Sequence, residues 1–151
     1  MVSAHPSCPG KYEIILTGSI SNVTAAISHV KAKFEGHVID TSIMGRIDES
    51  VITALFSTSE GEREGSLGII ETFSAASAVK AADIAVKTAR VAIYDLRVSR
   101  GMGGKGVVLL TGEIGDVSAA VEAGAEYARG EGMLSATSVI AAPHKELWEQ
   151  M

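Results

Sequence analysis

The sequence predicts an α+β protein built on a ferredoxin-like split β-α-β-β-α-β unit, and three observations support that fold class. First, residues 65–145, the complete unit, alternate apolar runs with helical patterns in the order strand, helix, strand, strand, helix, strand. Second, a glycine-rich segment separates the two central strands, as in a hairpin. Third, residues 1–47 repeat motifs of the second half of this unit, which predicts a partial N-terminal copy.

Each element of the complete unit has its own signal. Strands are predicted from apolar or alternating runs, and helices from apolar residues that recur every three or four positions. The predicted strands are Leu67–Thr72, Val91–Val98, Val107–Thr111 and Ser135–Ala141, and the predicted helices are Ala75–Ala89 and Val117–Ala128. Ser74 and Asp116 are the candidate N-caps, because their side chains can accept hydrogen bonds from free helix amides.

Each of the two predicted helices carries an apolar stripe that is expected to face the sheet. The stripe of the second helix comprises Val117, Ala120, Val121, Gly124, Ala125 and Ala128. Gly124 within it indicates a close approach of two backbones, because glycine otherwise weakens a helix. On the first helix, Asp83 is expected on the exposed face, four residues before Lys87, which is the favourable order for a helical ion pair.

The partial copy, residues 1–47, is recognised by matching motifs. Leu16-Thr17-Gly18 corresponds to Leu110-Thr111-Gly112, and Thr41-Ser42-Ile43 corresponds to Thr137-Ser138-Val139. The expected elements are an irregular lead-in at Met1–Pro9, a strand at Tyr12–Thr17, a helix with Asn22 as N-cap, and a strand at Val38–Met44. No counterpart of residues 67–98 is found ahead of Cys8, so we expect a shortened first copy whose uncovered faces are completed in part by oligomer contacts.

The domain division follows from these patterns. We expect a partial domain at residues 1–47, a linker with a short helix capped by Asp48 at residues 48–64, the complete unit at 65–145, and a C-terminal tail at 146–151.

Composition and charge exclude several classes of function. The net charge of -5 argues against a nucleic-acid partner, and no apolar run has the roughly 20 residues that a membrane span needs. Cys8 is the single cysteine, so an intrachain disulfide is impossible and a cytoplasmic protein is expected. No nucleophile elbow, paired carboxylates or zinc spacing is found, which predicts a protein that is not an enzyme.

The glycine-rich segment Arg100–Gly106 invites comparison with a phosphate-binding loop. That motif needs a helix after the loop and Ser or Thr after its lysine, whereas Gly106 and a strand follow Lys105. The sequence therefore predicts a hairpin turn whose glycines allow unusual backbone angles. If this turn lines an opening, Arg100 would supply positive charge there, and the backbone amides could hold small anions.

Several motifs resemble the bacterial microcompartment shell domain. Leu67-Gly68-Ile69-Ile70-Glu71-Thr72 resembles the opening of that domain, and Thr111-Gly112-Glu113-Ile114-Gly115-Asp116-Val117 resembles its second half. Together with the partial repeat, the motif Cys8-Pro9-Gly10-Lys11 is similar to the pore loop of the tandem-domain, trimer-forming type of propanediol-utilisation compartments.

The resemblance implies a homotrimeric, pseudohexagonal tile of a shell facet that contacts other shell proteins and encapsulated enzymes. It implies a pore lined by Ser7, Cys8, Pro9, Gly10, Arg100, Gly101, Met102, Gly103 and Gly104. It also implies an iron–sulfur cluster bound by Cys8, with Pro9 and Gly10 in the cluster loop. Lys87 matches the edge lysine of the family, and Arg46 occupies the place of the loop arginine, which is Ala142 in the complete unit.

The residues around Cys8 leave its role open. One thiolate cannot hold a cluster alone, but a threefold axis would bring three of them together. The plain alternative is an exposed thiol, and His5, three residues earlier, leaves a mixed His/Cys metal site as a further option. Two rival functions also remain at this stage: a small-molecule-binding regulatory domain of ferredoxin-like fold, and a stand-alone electron-transfer protein.

Overall fold

The structure, a computed structural model, describes residues 2–7, 10–56, 64–99 and 101–151. The strands are β1 (Ser3–Ser7), β2 (Lys11–Ile15), β3 (Ser66–Thr72), β4 (Val91–Val98), β5 (Gly106–Gly112) and β6 (Leu134–Ile140). The helices are α1 (Ile20–Lys33), α2 (Glu49–Phe56), α3 (Ala75–Thr88), α4 (Ile114–Gly130) and α5 (Lys145–Gln150). None of the helices in these ranges is long and apolar enough to cross a membrane.

The complete unit forms one antiparallel sheet with the strand order β4-β5-β3-β6. β3 lies in the middle, where Ile69 pairs with Leu109 of β5 on one side and with Ser138 of β6 on the other. This order is that of the split β-α-β-β-α-β arrangement, so the predicted fold class is confirmed.

Both faces of this sheet are covered. On one face α3 and α4 pack against β3 and β5, and the predicted stripe of α4 is buried in full, from Val117 to Ala128. On the other face Trp148 of α5 packs against Leu67, Leu109 and Tyr94. α5 occupies residues for which the sequence predicts a C-terminal tail, so the packing on this second face was not predicted.

The partial copy departs from expectation in two places. The lead-in is not irregular, because residues 3–7 form β1, which pairs with β2 as β4 pairs with β5. β1 is thus a counterpart of part of β4, contrary to the prediction that residues 67–98 have no counterpart ahead of Cys8. Residues 38–44 were predicted as a strand and are not one. Their counterpart β6 is held by hydrogen bonds to β3, and within the described residues no strand pairs with residues 38–44.

Two N-cap predictions are wrong. α1 begins one turn early, with Ser19 as its N-cap, whose hydroxyl accepts a hydrogen bond from the Asn22 amide at 3.4 Å. α4 begins at Ile114 after the N-cap Glu113, which places Asp116 inside the first turn. An acidic residue there still interacts favourably with the free amides at the start of the helix.

Asp83 is buried, at 2% exposure, rather than on an exposed face of α3. The segment that leads into α2 covers it, and the Asp48 amide donates to Asp83 Oδ1 at 2.9 Å. The predicted ion pair is present, with Lys87 Nζ at 2.6 Å from Asp83 Oδ1. α2 itself buries Val51 and Ala54 in the core of the complete unit.

Candidate functional site

The β1–β2 turn and the β4–β5 turn lie next to each other. Lys11 Nζ contacts the Gly103 carbonyl at 3.5 Å, and the Ser99 hydroxyl donates to Glu13 Oε2 at 2.6 Å. Ser99 is buried and Glu13 is half-buried, so this second hydrogen bond is partly shielded from water. The two turns, which come from matching places in the two copies, therefore form one surface, which we call the turn surface (residues 7, 10–11, 99 and 101–105).

Four positions of the turn surface have a backbone conformation that favours glycine. Gly10, Gly101, Gly103 and Gly104 all have φ between 66° and 79°, a region that side-chain-bearing residues rarely adopt. At Gly101 and Gly103 an added Cβ would meet nothing within 4 Å, so the conformation and not the space selects glycine there. Ser99 also has a positive φ, of 62°, and its bond to Glu13 holds it in that conformation.

Several predicted pore residues belong to this surface. Ser7 ends β1, Gly10 lies in the first turn, and Gly101, Met102, Gly103 and Gly104 form the second turn. Residues 101–104 form a turn between β4 and β5, as the predicted hairpin requires. Cys8, Pro9 and Arg100 lie outside the described residues. Glu13 and Ser99 were not singled out from sequence, and Lys11 was named only as part of its motif, because only the fold brings the two turns together.

No group of three or more His, Cys, Asp or Glu side chains suited to a metal ion is found in the described ranges. His5 Nε2 lies 3.7 Å from Glu13 Oε1 on the neighbouring strand. Its Nδ1 is buried with no hydrogen-bond partner in the structure. Cys8 lies outside these ranges, so the predicted mixed His5 and Cys8 site stays a prediction.

A second polar cluster lies where the glycine turn enters β5. Lys105 Nζ donates to Glu71 Oε1 at 2.7 Å, and the Ser135 hydroxyl donates to Glu71 Oε2 at 3.1 Å. The hydrogen bond from Lys105 holds the pKa of Glu71 below its ordinary value, because it stabilises the carboxylate. The same ammonium lies 5.7 Å from the centre of the Phe73 ring. The bonding of Glu71 indicates positioning rather than acid–base chemistry.

The two predicted edge residues, Lys87 and Arg46, meet in the structure. Lys87 Nζ donates to the Arg46 carbonyl as well as to Asp83. Both Lys87 and Arg46 are exposed, and Lys87 lines an open depression between the end of α3 and the first turn of α4. Asp83 thus orients the lysine, and the arginine side chain remains available to a neighbouring molecule.

Comparison with known proteins agrees with this architecture. A family model described as the BMC domain matches residues 66–143. The bacterial microcompartment shell protein PduT of Citrobacter freundii is 33% identical over 95% of this chain and 78% of its own length. The carboxysome shell protein CsoS1A of Hydrogenovibrio crunogenus is 45% identical over 54% of this chain and 83% of its own.

One solved structure also matches nearly the whole chain. It is that of a microcompartment protein from Desulfitobacterium hafniense DCB, with a TM-score of 0.83 and 38% sequence identity. The match covers 98% of this chain and 82% of that one. The partial copy is therefore included in the similarity, and not only residues 66–143.

Proposed function

Since this chain belongs to the bacterial microcompartment (BMC) domain family, we propose that three copies of it form one tile of a microcompartment shell facet, with the turn surfaces around a central pore. Its role as a structural shell protein and its location in the shell of a bacterial microcompartment, a cytoplasmic body, were both predicted and are confirmed by the family and the relatives. The proposal goes beyond this role in three respects: the trimer, its central pore and an iron–sulfur cluster in that pore.

The observation that carries the proposal is the adjacency of the two hairpin turns. Lys11–Gly103 and Glu13–Ser99 contacts place corresponding turns of the two copies side by side in one chain. Threefold symmetry would then arrange both kinds of turn in alternation around one axis. This explains why a chain with two related copies can take the place of two subunits in a ring of hexagonal outline.

The edges of the tile are proposed to lie at the Lys87–Arg46 pair. Lys87 and the exposed Arg46 lie together at the surface, held by the buried Asp83. Such a pair offers donors to carbonyl or carboxylate groups of an adjoining tile. The partners of the protein are accordingly its own copies, other shell proteins and the enclosed enzymes, and the shell role requires no catalytic group of its own.

The pore is proposed to hold an iron–sulfur cluster. Each chain supplies one thiol, Cys8, between the described residues Ser7 and Gly10 of the turn surface. Three chains would supply three thiolates, and an external ligand would complete the usual four. A bound cluster would supply one-electron transfer across the shell. Support comes from the position of the flanking residues on the turn surface and from the donor set.

Sedimentation and electron microscopy test the assembly. We expect a particle of three 15.7 kDa chains in dilute solution and extended sheets or tubes at high concentration. Lys87→Ala should abolish sheets and leave the trimer intact. Lys80→Ala is the matched control, because Lys80 lies on the same helix 3.9 Å from Asp83 and should not affect sheets. Dispersed monomers would contradict the proposal and favour a regulatory domain or a free electron carrier.

A separate experiment tests the cluster. After anaerobic reconstitution with iron and sulfide, we expect broad visible absorption and about one cluster per three chains. Both should disappear in Cys8→Ala and persist in Ser7→Ala. An equal iron content in Cys8→Ala would show that Cys8 is not a ligand of the cluster. The proposal of a trimeric tile does not depend on that result.

A further inference from the structure

The lysine proposed for the tile edge has two of its three donors engaged within the chain. The Lys87 ammonium lies 2.6 Å from Asp83 Oδ1 and also donates to the Arg46 carbonyl. An ammonium group has three N–H donors, so one of them remains for a neighbouring molecule. Because the Lys87 side chain is 43% exposed, this third donor can reach another tile.

Residues 46–48 contact both members of this ion pair. The Arg46 carbonyl accepts from Lys87, and the Asp48 amide donates to Asp83 Oδ1 at 2.9 Å. Both contacts are made by backbone atoms of residues 46–48, so they fix the path of the chain there directly. Arg46, Asp48, Asp83 and Lys87 therefore form a closed ring of contacts, which we call the edge clamp.

Asp83 is the buried member of the edge clamp. Its side chain is 3% exposed, and a charge pair in such surroundings is stronger than the same pair in water. A second cation, Lys80 Nζ, lies 3.9 Å from Asp83 Oδ2, which is beyond hydrogen-bond distance. The carboxylate therefore acts mainly on Lys87 and on the Asp48 amide.

The segment that carries Arg46 is anchored to the complete unit in a second way. Ile47 packs against the apolar core, and Val51 of α2 is buried in it. Asp48 Oδ1 accepts hydrogen bonds from the Ser50 amide at 2.9 Å and from the Ser50 hydroxyl at 2.6 Å, which fixes Asp48 at the start of α2. The exposed Arg46 side chain thus extends from a backbone that the clamp and α2 hold in place.

We propose that Asp83 is the positioning residue of the tile edge, because it holds Lys87 and the backbone of Arg46 in one register. The inference rests on the proposed shell tile, and it adds that the edge is composite, with one cation from each copy. Two cations at a fixed separation can bind a carboxylate or a pair of carbonyl groups on the adjoining tile with little loss of side-chain entropy. Asp83 contributes without touching that tile, since it is buried.

The exchange of ammonium protons with water tests the clamp, and NMR measures it at protein concentrations below those at which sheets form. In the unmodified chain, we expect the Lys87 ammonium to exchange about tenfold more slowly than that of Lys31, which is exposed on α1. Asp83→Asn keeps the size of the side chain and removes its charge, so exchange at Lys87 should accelerate about tenfold. Arg46→Ala should leave this exchange unchanged, because Lys87 contacts the main-chain carbonyl.

The protein concentration at which sheets first appear measures the effect on the edge. We expect this threshold to rise about tenfold in Asp83→Asn and in Arg46→Ala. Asp95→Asn is the matched control, because Asp95 pairs with Arg97 on β4 and the same chemical change there should alter neither measurement.

Two results would overturn the positioning role and leave the tile intact: exchange at Lys87 as fast as at Lys31, or an unchanged threshold for sheets in Asp83→Asn. If the unmodified chain forms no sheets, the tile is wrong and the positioning role is wrong with it. If Asp83→Asn does not fold, the comparison of Lys87 with Lys31 in the unmodified chain still decides whether the clamp holds the lysine.

Discussion

α1 and α4 carry the same apolar pattern and have different surroundings. α4 packs against α3 and all four strands of the sheet, and every member of its stripe is buried. In α1 no residue is buried, and Val23, Ala26, Ile27 and Val30 of its stripe are only half-buried within the described structure. An amphipathic pattern determines which face of a helix can be buried, whereas the burial itself depends on the elements that reach that face.

The strands differ in the same way. β6 and residues 38–44 share the Thr-Ser motif, but among the described residues only β6 has a strand partner, β3. The partial copy is attached to the complete unit by polar and apolar contacts. Asp40 Oδ2 accepts hydrogen bonds from Ser77 Oγ at 2.7 Å and from the Ser74 hydroxyl, and Met44 and Ile47 pack against the apolar core of the complete unit. The buried core thus belongs to the complete unit, and the described residues of the partial copy contribute only partly buried side chains to it.

The largest expected difference between the copies concerns matching leucines. Leu110 is fully buried, so Leu110→Ala should cost about 2–5 kcal/mol of unfolding free energy through lost burial and a cavity. Leu16, its counterpart, is only half-buried, and Leu16→Ala should cost less than about 1 kcal/mol. Urea denaturation followed by circular dichroism measures both. Equal losses would show that the partial copy has a core after all.

A smaller difference is expected where the helices diverge in side-chain size. A Cβ at Gly124 would lie 2.9 Å from the Ala81 carbonyl oxygen and 2.7 Å from Ile70 Cδ1. Overpacking there should outweigh the gain in helix propensity, so Gly124→Ala should destabilise by about 1–2 kcal/mol. Val30→Ala, at the matching place in α1, should change stability by less than about 0.5 kcal/mol. Stabilisation by Gly124→Ala in thermal unfolding would contradict this close approach.

The hydrogen bonds that join the two copies should weaken in Asp40→Asn. Replacing the carboxylate weakens the hydrogen bonds from Ser74 and Ser77, at a cost of about 1 kcal/mol. Hydrogen exchange in residues 36–44 should become faster, while exchange in β3 and β5 stays unchanged. Glu35→Gln, an exposed position in the same copy, is the control and should have no effect. An unaltered exchange rate of residues 36–44 in Asp40→Asn would mean that other contacts hold the partial copy against the complete unit.

The smallest effect concerns the matching lysines Lys105 and Lys11. The hydrogen bond from Lys105 is the chief reason why the pKa of Glu71 is lowered in the folded state. The Glu71 carboxylate therefore adds to the unfolding free energy at pH values above its unfolded pKa of about 4.3. That contribution is lost as the pH falls through the folded-state pKa. Lys105→Met should therefore raise the pKa of Glu71 and cost less than about 1 kcal/mol at neutral pH and nothing near pH 2.

Lys11→Met is the matched control for this titration. Lys11 contacts the Gly103 carbonyl, which does not titrate, so the pH dependence of stability should be that of the unchanged chain. Carboxyl resonances of Glu71 followed by NMR give the pKa directly, and an unchanged Glu71 pKa in Lys105→Met would contradict the assignment.

Much of the complete unit followed from sequence because its signals are local. The strand and helix periods, the stripe of α4 and the Asp83–Lys87 pair all depend on neighbours within a few residues along the chain. The predictions that failed involve partners distant in sequence. Residues 3–7 form a strand because β2 lies opposite, Asp83 is buried because residues 46–48 fold over it, and residues 38–44 are not a strand because none pairs with them.

The candidate site shows the same division. The glycines of the turn at 100–106 could be found from composition, since left-handed backbone favours glycine, and the resemblance pointed to the loop at Cys8. The contribution of Glu13, Ser99 and Lys11 could not be found, because no local pattern states that two hairpin turns 92 positions apart meet. The ligand set, the pore and the domain boundaries remain predictions.

The sequence by itself determined the repeat, the order of the elements and the faces they could bury, because those properties depend on local backbone geometry and side-chain polarity. Only the tertiary structure decided which of those faces are covered, which acids are buried and which turns share a surface. Burial and hydrogen bonding are properties of pairs of segments, and a pair exists only when the chain has brought both members together.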